Sequence, residues 1–136
     1  MMLTDAGPLI AIVNERDPHN GSCVAFLRQL TPPMVTILPA FTEAMHFAAR
    51  ADRWPGQDRL WKMVERGALV IRDLEPADLS NARDLMEQYR DIPMDFADAA
   101  LVAYAERENL DQIFTLDRRG FTVFRLRGRR AFTIYP

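Results

Sequence analysis

Residues 94–117 read MDFADAALVAYAERENLDQIFTLD, and this stretch decides the fold. An apolar run behind two acids predicts a buried helix that ends near Glu108, and a short strand that ends at Asp117 follows it. Earlier segments repeat this order of helix and strand. The other predicted strands are "MLTD", "PPMVTIL" after its initial turn, and "ALVIRDL". Short strands that alternate with helices predict an α/β domain with a mainly parallel central sheet.

Five further helices and a terminal hairpin complete the predicted elements. The helical segments are "AGPLIAIVNERD", "HNGSCVAFLRQL", "PAFTEAMHFAARA", "GQDRLWKMVERG" and "EPADLSNARDLMEQYRD". The spacing of apolar residues on the last of these predicts one buried face, formed by Leu79, Ala82, Leu85, Met86 and Tyr89. "FTVFRLRGRRAFTIY" alternates around Gly128 and predicts a hairpin or two edge strands.

Length and composition predict one domain over residues 1–136. Its 49% hydrophobic residues suffice for a core, and its longest apolar runs are too short to cross a bilayer. No targeting segment is recognisable, and Cys23 is the single cysteine, which excludes a disulfide framework and a thiolate metal cluster within one chain. We therefore expect a cytoplasmic protein.

The charge of the chain is unevenly distributed. The net charge is −2, yet the last nineteen residues hold six arginines and no acid, which leaves −8 on residues 1–117. A basic carboxyl-terminal edge is typical either of a solvated hairpin or of a surface that guides a nucleic-acid backbone. The candidate RNA-binding residues are Arg118, Arg119, Arg127, Arg129 and Arg130.

Four acids occupy positions where a parallel sheet binds ligands, outside the carboxyl ends of its strands. Asp5 ends the first predicted strand, Asp117 ends the fourth, Glu43 follows the second, and Asp98 lies in the first turn of the helix before the fourth. Each acid also has a local explanation. Asp5 and Asp117 fit turns, Glu43 fits a helix dipole, and Asp95 fits an N-cap with Asp98 three residues on. A side chain as short as Asp98 is less suited than Glu to reach back to the cap.

Four carboxylates that converge would raise one another's pKa values or bind a cation. Oxygen ligands without a cysteine or a histidine pair favour Mg²⁺ or Mn²⁺, which activate water for phosphodiester hydrolysis. Competing chemistries find little support, because the chain has no nucleophile elbow and no glycine-rich phosphate loop. His46 is expected in the core and His19 at a cap or on the surface, so a catalytic histidine pair is not expected.

The sequence resembles the PIN-domain ribonuclease family, which includes the VapC toxins. The resemblance rests on four ordered segments, "LTDAGPLIAIVNERDPH", "LPAFTEAMHFAAR", "DIPMDFADAALVAYAER" and "IFTLDRRGFTVFRLRGRRAF". It implies a three-layer α/β/α sandwich whose Asp5, Glu43, Asp98 and Asp117 hold one or two Mg²⁺ or Mn²⁺ ions and orient a water toward an RNA phosphate. It also implies a polar role for Thr115 near the site, frequent homodimers, and inhibition by a small antitoxin.

Two residues depart from the family's pattern. Ala6 stands where many members have Ser or Thr, and Gly120 stands where a further acid is common. The metal site could therefore use Asp95 as an auxiliary ligand. A non-catalytic module that binds RNA or a protein remains an alternative. A response-regulator receiver fits poorly, since Asp5 lacks a neighbouring acid and Lys62 lies in mid-chain.

Overall fold

The computed structural model describes residues 1–31 and 33–136, and within them the chain forms seven strands and six helices. The strands are β1 (Met2–Thr4), β2 (Met34–Ile37), β3 (Leu69–Arg72), β4 (Gln112–Phe114), β5 (Arg125–Leu126), β6 (Arg130–Ala131) and β7 (Thr133–Tyr135). The helices are α1 (Ala6–Val13), α2 (Asn20–Gln29), α3 (Leu38–Glu65), α4 (Pro76–Gln88), α5 (Phe96–Glu108) and α6 (Arg118–Phe121). The turn predicted before β2 includes Pro32, which lies outside the described residues.

The central sheet has the order β3-β2-β1-β4-β7, and every neighbouring pair is parallel. Leu3 on β1 pairs with Val35 on one side and with Ile113 on the other. The chain leaves β1 toward β2 and later returns to the other side of β1. This reversal of direction opens a crevice at the carboxyl ends of β1 and its neighbours, where ligands bind in such sheets.

Helices cover both faces of the sheet and confirm the predicted three-layer α/β/α sandwich. Alternate residues of β1 point to opposite faces, so that Met2 packs with α1 and α3 while Leu3 packs with α5. One apolar cluster joins α1, α2 and α3 to the sheet, and a second joins α4 and α5. Two separate apolar layers therefore hold the sheet in place from both sides.

Helix α5 is apolar on all sides because it lies between the sheet and α4. Every residue from Ala99 to Ala105 is buried, and the helix ends at Asn109, whose φ of 56° is left-handed. A helix that precedes a parallel strand runs antiparallel to it. The first turn of α5, with Asp98, therefore lies at the carboxyl edge of the sheet.

Helix α3 combines the two helices predicted for this region. Its backbone leaves the helical region at Asp52 (φ −148°, ψ 22°) and at Arg53 (φ 52°, ψ −141°). The two segments approach closely at Gly56, where a Cβ would lie 2.6 Å from the Ala48 carbonyl oxygen. The predicted pair of helices is thus correct apart from the short connection between them.

The predicted buried face of α4 is wrong at two of its five positions. Leu79 and Met86 are 50% and 37% exposed. The buried stripe runs instead through Asp78, Ala82, Leu85 and Tyr89. It faces α5, the main packing partner of α4, and Tyr89 at its end also packs against the Phe124 ring.

Two smaller expectations also need correction. The loop predicted after β4 contains the one-turn helix α6, and His46 is exposed on α3 rather than in the core. At the carboxyl terminus the predicted hairpin forms from β5 and β6, and a single further strand, β7, joins the edge of the sheet beside β4. Positive φ at Arg127 and Gly128 forms the hairpin turn. In the part of the chain described, no helix is both long and apolar enough to span a membrane.

Candidate metal centre

A pocket of about 430 Å³ opens at the carboxyl edge of the sheet. All four acids predicted from the sequence line it, together with Asp95. The complete lining is Asp5, Ala6, Gly7, Ile10, Glu43, Pro93, Asp95, Asp98, Leu116 and Asp117. The fold therefore brings together acids that are up to 112 positions apart in the chain.

Asp5 is held by hydrogen bonds on both carboxylate oxygens. It caps α1 through Oδ1, which accepts from the Ala6 amide at 2.7 Å, and its Oδ2 accepts from the Thr115 hydroxyl at 2.8 Å. The side chain is 8% exposed, and this burial raises its pKa. The two hydrogen bonds lower the pKa of Asp5, while the neighbouring Asp95 and Asp117 raise it further.

Thr115 links the first acid to the last. Its buried hydroxyl donates to Asp5 and accepts from the Asp117 backbone amide at 3.0 Å. The hydroxyl is therefore bonded to two segments, the one that follows β1 and the one that follows β4, and it fixes the distance between them. The structure thus places this residue behind the carboxylates.

Asp117 caps α6, and Gly120 packs against its carboxylate. The Gly120 amide donates to Asp117 Oδ1 at 3.0 Å. A Cβ on Gly120 would lie 2.5 Å from Asp117 Oδ2 and 2.9 Å from the buried Phe124 ring. The absence of a side chain at position 120 therefore allows Asp117 its position in the pocket.

Asp95 and Asp98 form a reciprocal capping box at the start of α5. The Asp98 amide donates to Asp95 Oδ1 at 2.8 Å, and the Asp95 amide donates to Asp98 Oδ2 at 3.3 Å. Asp98 thus reaches back to the cap despite its short side chain. Burial, followed by the charges of Asp95 and Asp5, raises the pKa of Asp98 to about 8.

Glu43 lies on the second turn of α3, past the first turn in which a helix dipole favours acids. The helix dipole therefore does not explain an acid at this position. Burial raises the pKa of Glu43, and Asp95 and Asp5 raise it further. Glu43 therefore belongs electrostatically to the same cluster as the aspartates.

Within the described residues, none of the five acids forms a salt bridge. As placed, no group of three or more His, Cys, Asp or Glu in residues 1–31 and 33–136 is arranged to hold a metal ion. Three of the carboxylates instead cap the helices that follow them. The donor set nevertheless fits a hard cation, since it consists of carboxylate oxygens whose mutual repulsion a cation would relieve.

The structure separates the five candidate arginines. Arg119 lines a cleft of about 390 Å³ next to the acid pocket, together with Asp91, Ile92, Pro93, Asp117 and Gly120. Arg118 lies on α6 and donates to the Pro136 carbonyl oxygen at 2.6 Å.

The remaining three candidates lie on or beside the turn of the β5–β6 hairpin, at the other end of α5. Arg127 donates to the Glu106 carbonyl at 3.1 Å, Arg130 donates to Asn109 Oδ1 at 2.7 Å, and Arg129 is exposed. Glu106 lies eight residues beyond Asp98, about 12 Å along the helix axis.

Sequence reasoning missed two residues beside the pocket. Gly120 was noticed only as a missing acid, although its closeness to Asp117 depends on contacts that no local pattern reveals. No local pattern assigns a role to Phe96, which lies between Asp95 and Asp98, is 44% exposed and lines a cleft that adjoins the acid pocket. A large apolar side chain at the first position of a helix, between two acids, was the available signal.

Known proteins resemble this chain over nearly its full length. "Ribonuclease VapC26" of Mycobacterium tuberculosis (strain ATCC 25618 / H37Rv) is 24% identical over 135 residues, which cover 99% of this chain and 100% of that protein. The crystal structure of Mycobacterium tuberculosis VapC20, described as a sarcin-ricin loop cleaving toxin, has a TM-score of 0.80 at 13% identity and covers 87% of this chain and 91% of its own.

A toxin-antitoxin complex from Klebsiella pneumoniae has a TM-score of 0.71 at 17% identity, with 91% of this chain and 92% of that chain covered. At such identities the two solved structures show that the fold is shared. The model of the PIN domain matches residues 2–125. This match spans β1–β4, α1–α6 and all five acids of the pocket, and the chain therefore belongs to the PIN domain family.

Proposed function

We propose that this protein is an Mg²⁺- or Mn²⁺-dependent endoribonuclease that hydrolyses RNA phosphodiester bonds. The observation that carries the proposal is the convergence of four acids on one pocket, Asp5, Glu43, Asp98 and Asp117. Within the described residues, none of these acids forms a salt bridge. Repulsion among these acids costs free energy, and a divalent ion would remove that cost. The name of the ribonuclease relative supports the same activity.

The four acids would hold the ion, and other residues would fix their positions. Thr115 orients Asp5 through its hydroxyl, and Gly120 gives Asp117 room and a hydrogen bond. Asp95 caps α5 and thereby holds the first turn that carries Asp98. When bound, the ion would supply an activated water and neutralise charge that develops on the phosphate.

A direct test incubates a total RNA pool with the protein and Mg²⁺ or Mn²⁺. We expect cleavage that EDTA stops and that Asp5→Asn or Asp98→Asn abolishes. Asp111→Asn is a matched control, since Asp111 lies outside the acid pocket. Cleavage that survives both chelation and the two pocket substitutions would refute the proposal.

We further propose that the protein is the toxin of a toxin–antitoxin pair and acts in the cytoplasm as a homodimer. A solved toxin shares its fold, and so does a chain of a solved toxin–antitoxin complex. Induced expression is expected to arrest growth, while expression of Asp98→Asn is not. A short neighbouring gene for a DNA-binding protein should relieve the arrest, and growth unaffected by the wild-type chain would contradict the toxin role.

The alternative is a non-catalytic PIN-like module that binds RNA or a protein. It draws on one observation, that the acids as placed in residues 1–31 and 33–136 are not arranged to hold an ion. Calorimetry with Mn²⁺ separates the two candidates. Binding that Asp5→Asn weakens supports the enzyme, whereas RNA binding without any Mn²⁺ uptake supports the module.

A further inference from the structure

A second cleft, shallow and open to solvent, has a volume of about 510 Å³ and adjoins the acid pocket between the first two turns of α3 and the start of α5. It shares Glu43 and Asp95 with that pocket. The rest of its lining is Leu38, Pro39, Thr42, Phe96 and Ala97. This cleft, called the Phe96 cleft below, is therefore an apolar extension of the site that holds the acids.

Two of its walls are large apolar side chains that remain in contact with solvent. Leu38 is 55% exposed and Phe96 is 44% exposed. Each is the first residue of its helix, Leu38 of α3 and Phe96 of α5. The same two helices carry Glu43 and Asp98, so the apolar walls are held in a constant position relative to the acids.

The chemistry of the Phe96 cleft selects the kind of group that it can take. Its lining contains no cationic side chain, and the carboxylates of Glu43 and Asp95 close the end that joins the acid pocket. A phosphate would be repelled there. A neutral, flat group with apolar faces fits, and Thr42 adds one hydroxyl that can bond to a polar edge.

The cleft that contains Arg119, together with Asp91 and Asp117, also adjoins the acid pocket. It shares Pro93 and Asp117 with the acid pocket and carries the guanidinium of Arg119. A polynucleotide that crosses the acids would therefore meet the guanidinium of Arg119 as well as the apolar walls of the Phe96 cleft. Both surfaces suit single-stranded RNA, whose phosphates attract cations and whose bases stack on aromatic rings.

We propose that the Phe96 cleft is a nucleobase subsite, in which a base next to the cleaved phosphate stacks on Phe96 against Leu38. The inference rests on the proposed ribonuclease function and names how that site holds its substrate. Stacking on an aromatic side chain tolerates any base, so Phe96 contributes to affinity, and Thr42 provides the only uncharged polar contact in the lining.

The test measures RNA binding by fluorescence anisotropy in an Asp98→Asn background, where cleavage is blocked. A short RNA that the wild-type protein cleaves is prepared as a series, each member lacking one base near the cleaved bond. We expect one abasic position to weaken binding about 5- to 150-fold. With Phe96→Ala added, binding of the intact RNA should fall by a similar factor, and that abasic position should have no further effect.

Two more variants serve as controls. Phe96→Tyr should retain the penalty at the abasic position, because it keeps the aromatic face. Leu79→Ala removes an equally exposed apolar side chain from α4 and should leave RNA binding unchanged. The subsite is refuted if removal of the base weakens RNA binding equally with Phe96 and with Ala at position 96. It is also refuted if no abasic position weakens binding.

The failure of the subsite is distinguishable from failure of the ribonuclease proposal. If Asp98→Asn abolishes cleavage while the abasic series is flat, the enzyme remains and the subsite is refuted. If Phe96→Ala changes the molar mass measured by light scattering and leaves the abasic pattern intact, the cleft holds a second copy of the chain instead of a base. A wild-type protein that neither cleaves nor binds RNA refutes both.

Discussion

Helices α4 and α5 begin with the same arrangement, a buried aspartate that reaches back to the amide of its cap residue. The Glu75 amide donates to Asp78 at 2.8 Å, and the Asp95 amide donates to Asp98 at 3.3 Å. The two aspartates are 4% and 9% exposed. Locally, therefore, the two helix starts are nearly equivalent.

The two aspartates differ in the charges that surround them. Arg107 from α5 places its Nε 3.1 Å and 3.0 Å from the two carboxylate oxygens of Asp78. The Arg107 guanidinium also donates to the Asp73 carbonyl and lies over the Tyr104 ring. Asp98 has no salt bridge in the described chain and instead faces other acids.

This contrast separates a structural acid from a candidate ligand. A capping box explains the position of both aspartates, so capping alone cannot distinguish them. Where the fold supplies a guanidinium, the charge of the buried acid is balanced within the chain. Where the fold supplies further acids, the charge is relieved either by proton uptake, which the raised pKa of Asp98 favours, or by a divalent cation.

Removal of the Arg107 guanidinium, which balances the charge of Asp78, should have the largest effect on stability. Arg107→Met keeps an apolar stem but leaves Asp78 buried without its partner. We expect the free energy of unfolding to fall by about 2–3 kcal/mol, below the full value for a buried pair because Arg107 is 26% exposed. Urea denaturation measures the change. Arg83→Met breaks only exposed pairs on α4 and should cause no measurable loss, so equal losses in both variants would contradict the comparison.

The acid pocket should tolerate little added volume at Gly120, which is buried on α6. In Gly120→Ala the new methyl group would clash with the Asp117 carboxylate and the Phe124 ring, at a cost of about 1–2 kcal/mol. Displacement of Asp117 should also weaken Mn²⁺ binding about 10- to 100-fold in calorimetry. Gly21→Ala on α2, where a Cβ meets nothing within 4 Å, is the control. Unchanged Mn²⁺ affinity in Gly120→Ala would show that Asp117 is not held by this contact.

The stability of the protein should depend on Asp98 in the opposite sense from an acid in a salt bridge. Ionisation of Asp98 at higher pH should lower the free energy of unfolding, and its replacement by Asn should raise it. Asp98 has a pKa of about 8 in the folded chain against an ordinary value of 3.8. Its contribution to stability is therefore complete below about pH 4 and is lost as the pH rises toward 8. In EDTA at pH 8 we expect Asp98→Asn to raise the free energy of unfolding by about 1 kcal/mol and to flatten its pH profile.

The matched substitution Asp78→Asn should lower stability, because it removes the partner of Arg107. Thermal or urea unfolding from pH 4 to pH 9 measures both variants side by side. A wild-type stability that rises between pH 4 and pH 8 with a profile unchanged in Asp98→Asn would show that Asp98 is not destabilised by its neighbours.

Local sequence patterns predicted most of what positions the site. The places of Asp5 and Asp117 were predictable because each acid follows a short apolar strand, and parallel topology places the ends of such strands at one edge. The bounds were less accurate, since β1 ends at Thr4 and β4 already ends at Phe114, three residues before Asp117. The Thr115–Asp5 hydrogen bond joins residues 110 positions apart, and the Asp78–Arg107 pair joins residues 29 apart. Contacts of this kind depend on the packed fold, so a sequence pattern that describes neighbours along the chain cannot reveal them.

The smallest expected effect is on the salt dependence of RNA binding, and it compares the arginines near the two ends of α5. Arg119 beside the acid pocket should bind a phosphate, so Arg119→Gln should reduce the slope of log affinity against log salt by about 0.7. The sequence predicts the same kind of loss for joint neutralisation of Arg127, Arg129 and Arg130, although two of these side chains already bond to residues at the end of α5. Anisotropy titrations from 50 to 200 mM salt, typical conditions for such slopes, compare the two variants. A lower slope in the triple variant would extend the RNA path along α5 to the hairpin, whereas an unchanged slope would assign those arginines to a solvated edge and confine RNA contact to the carboxyl end of the sheet.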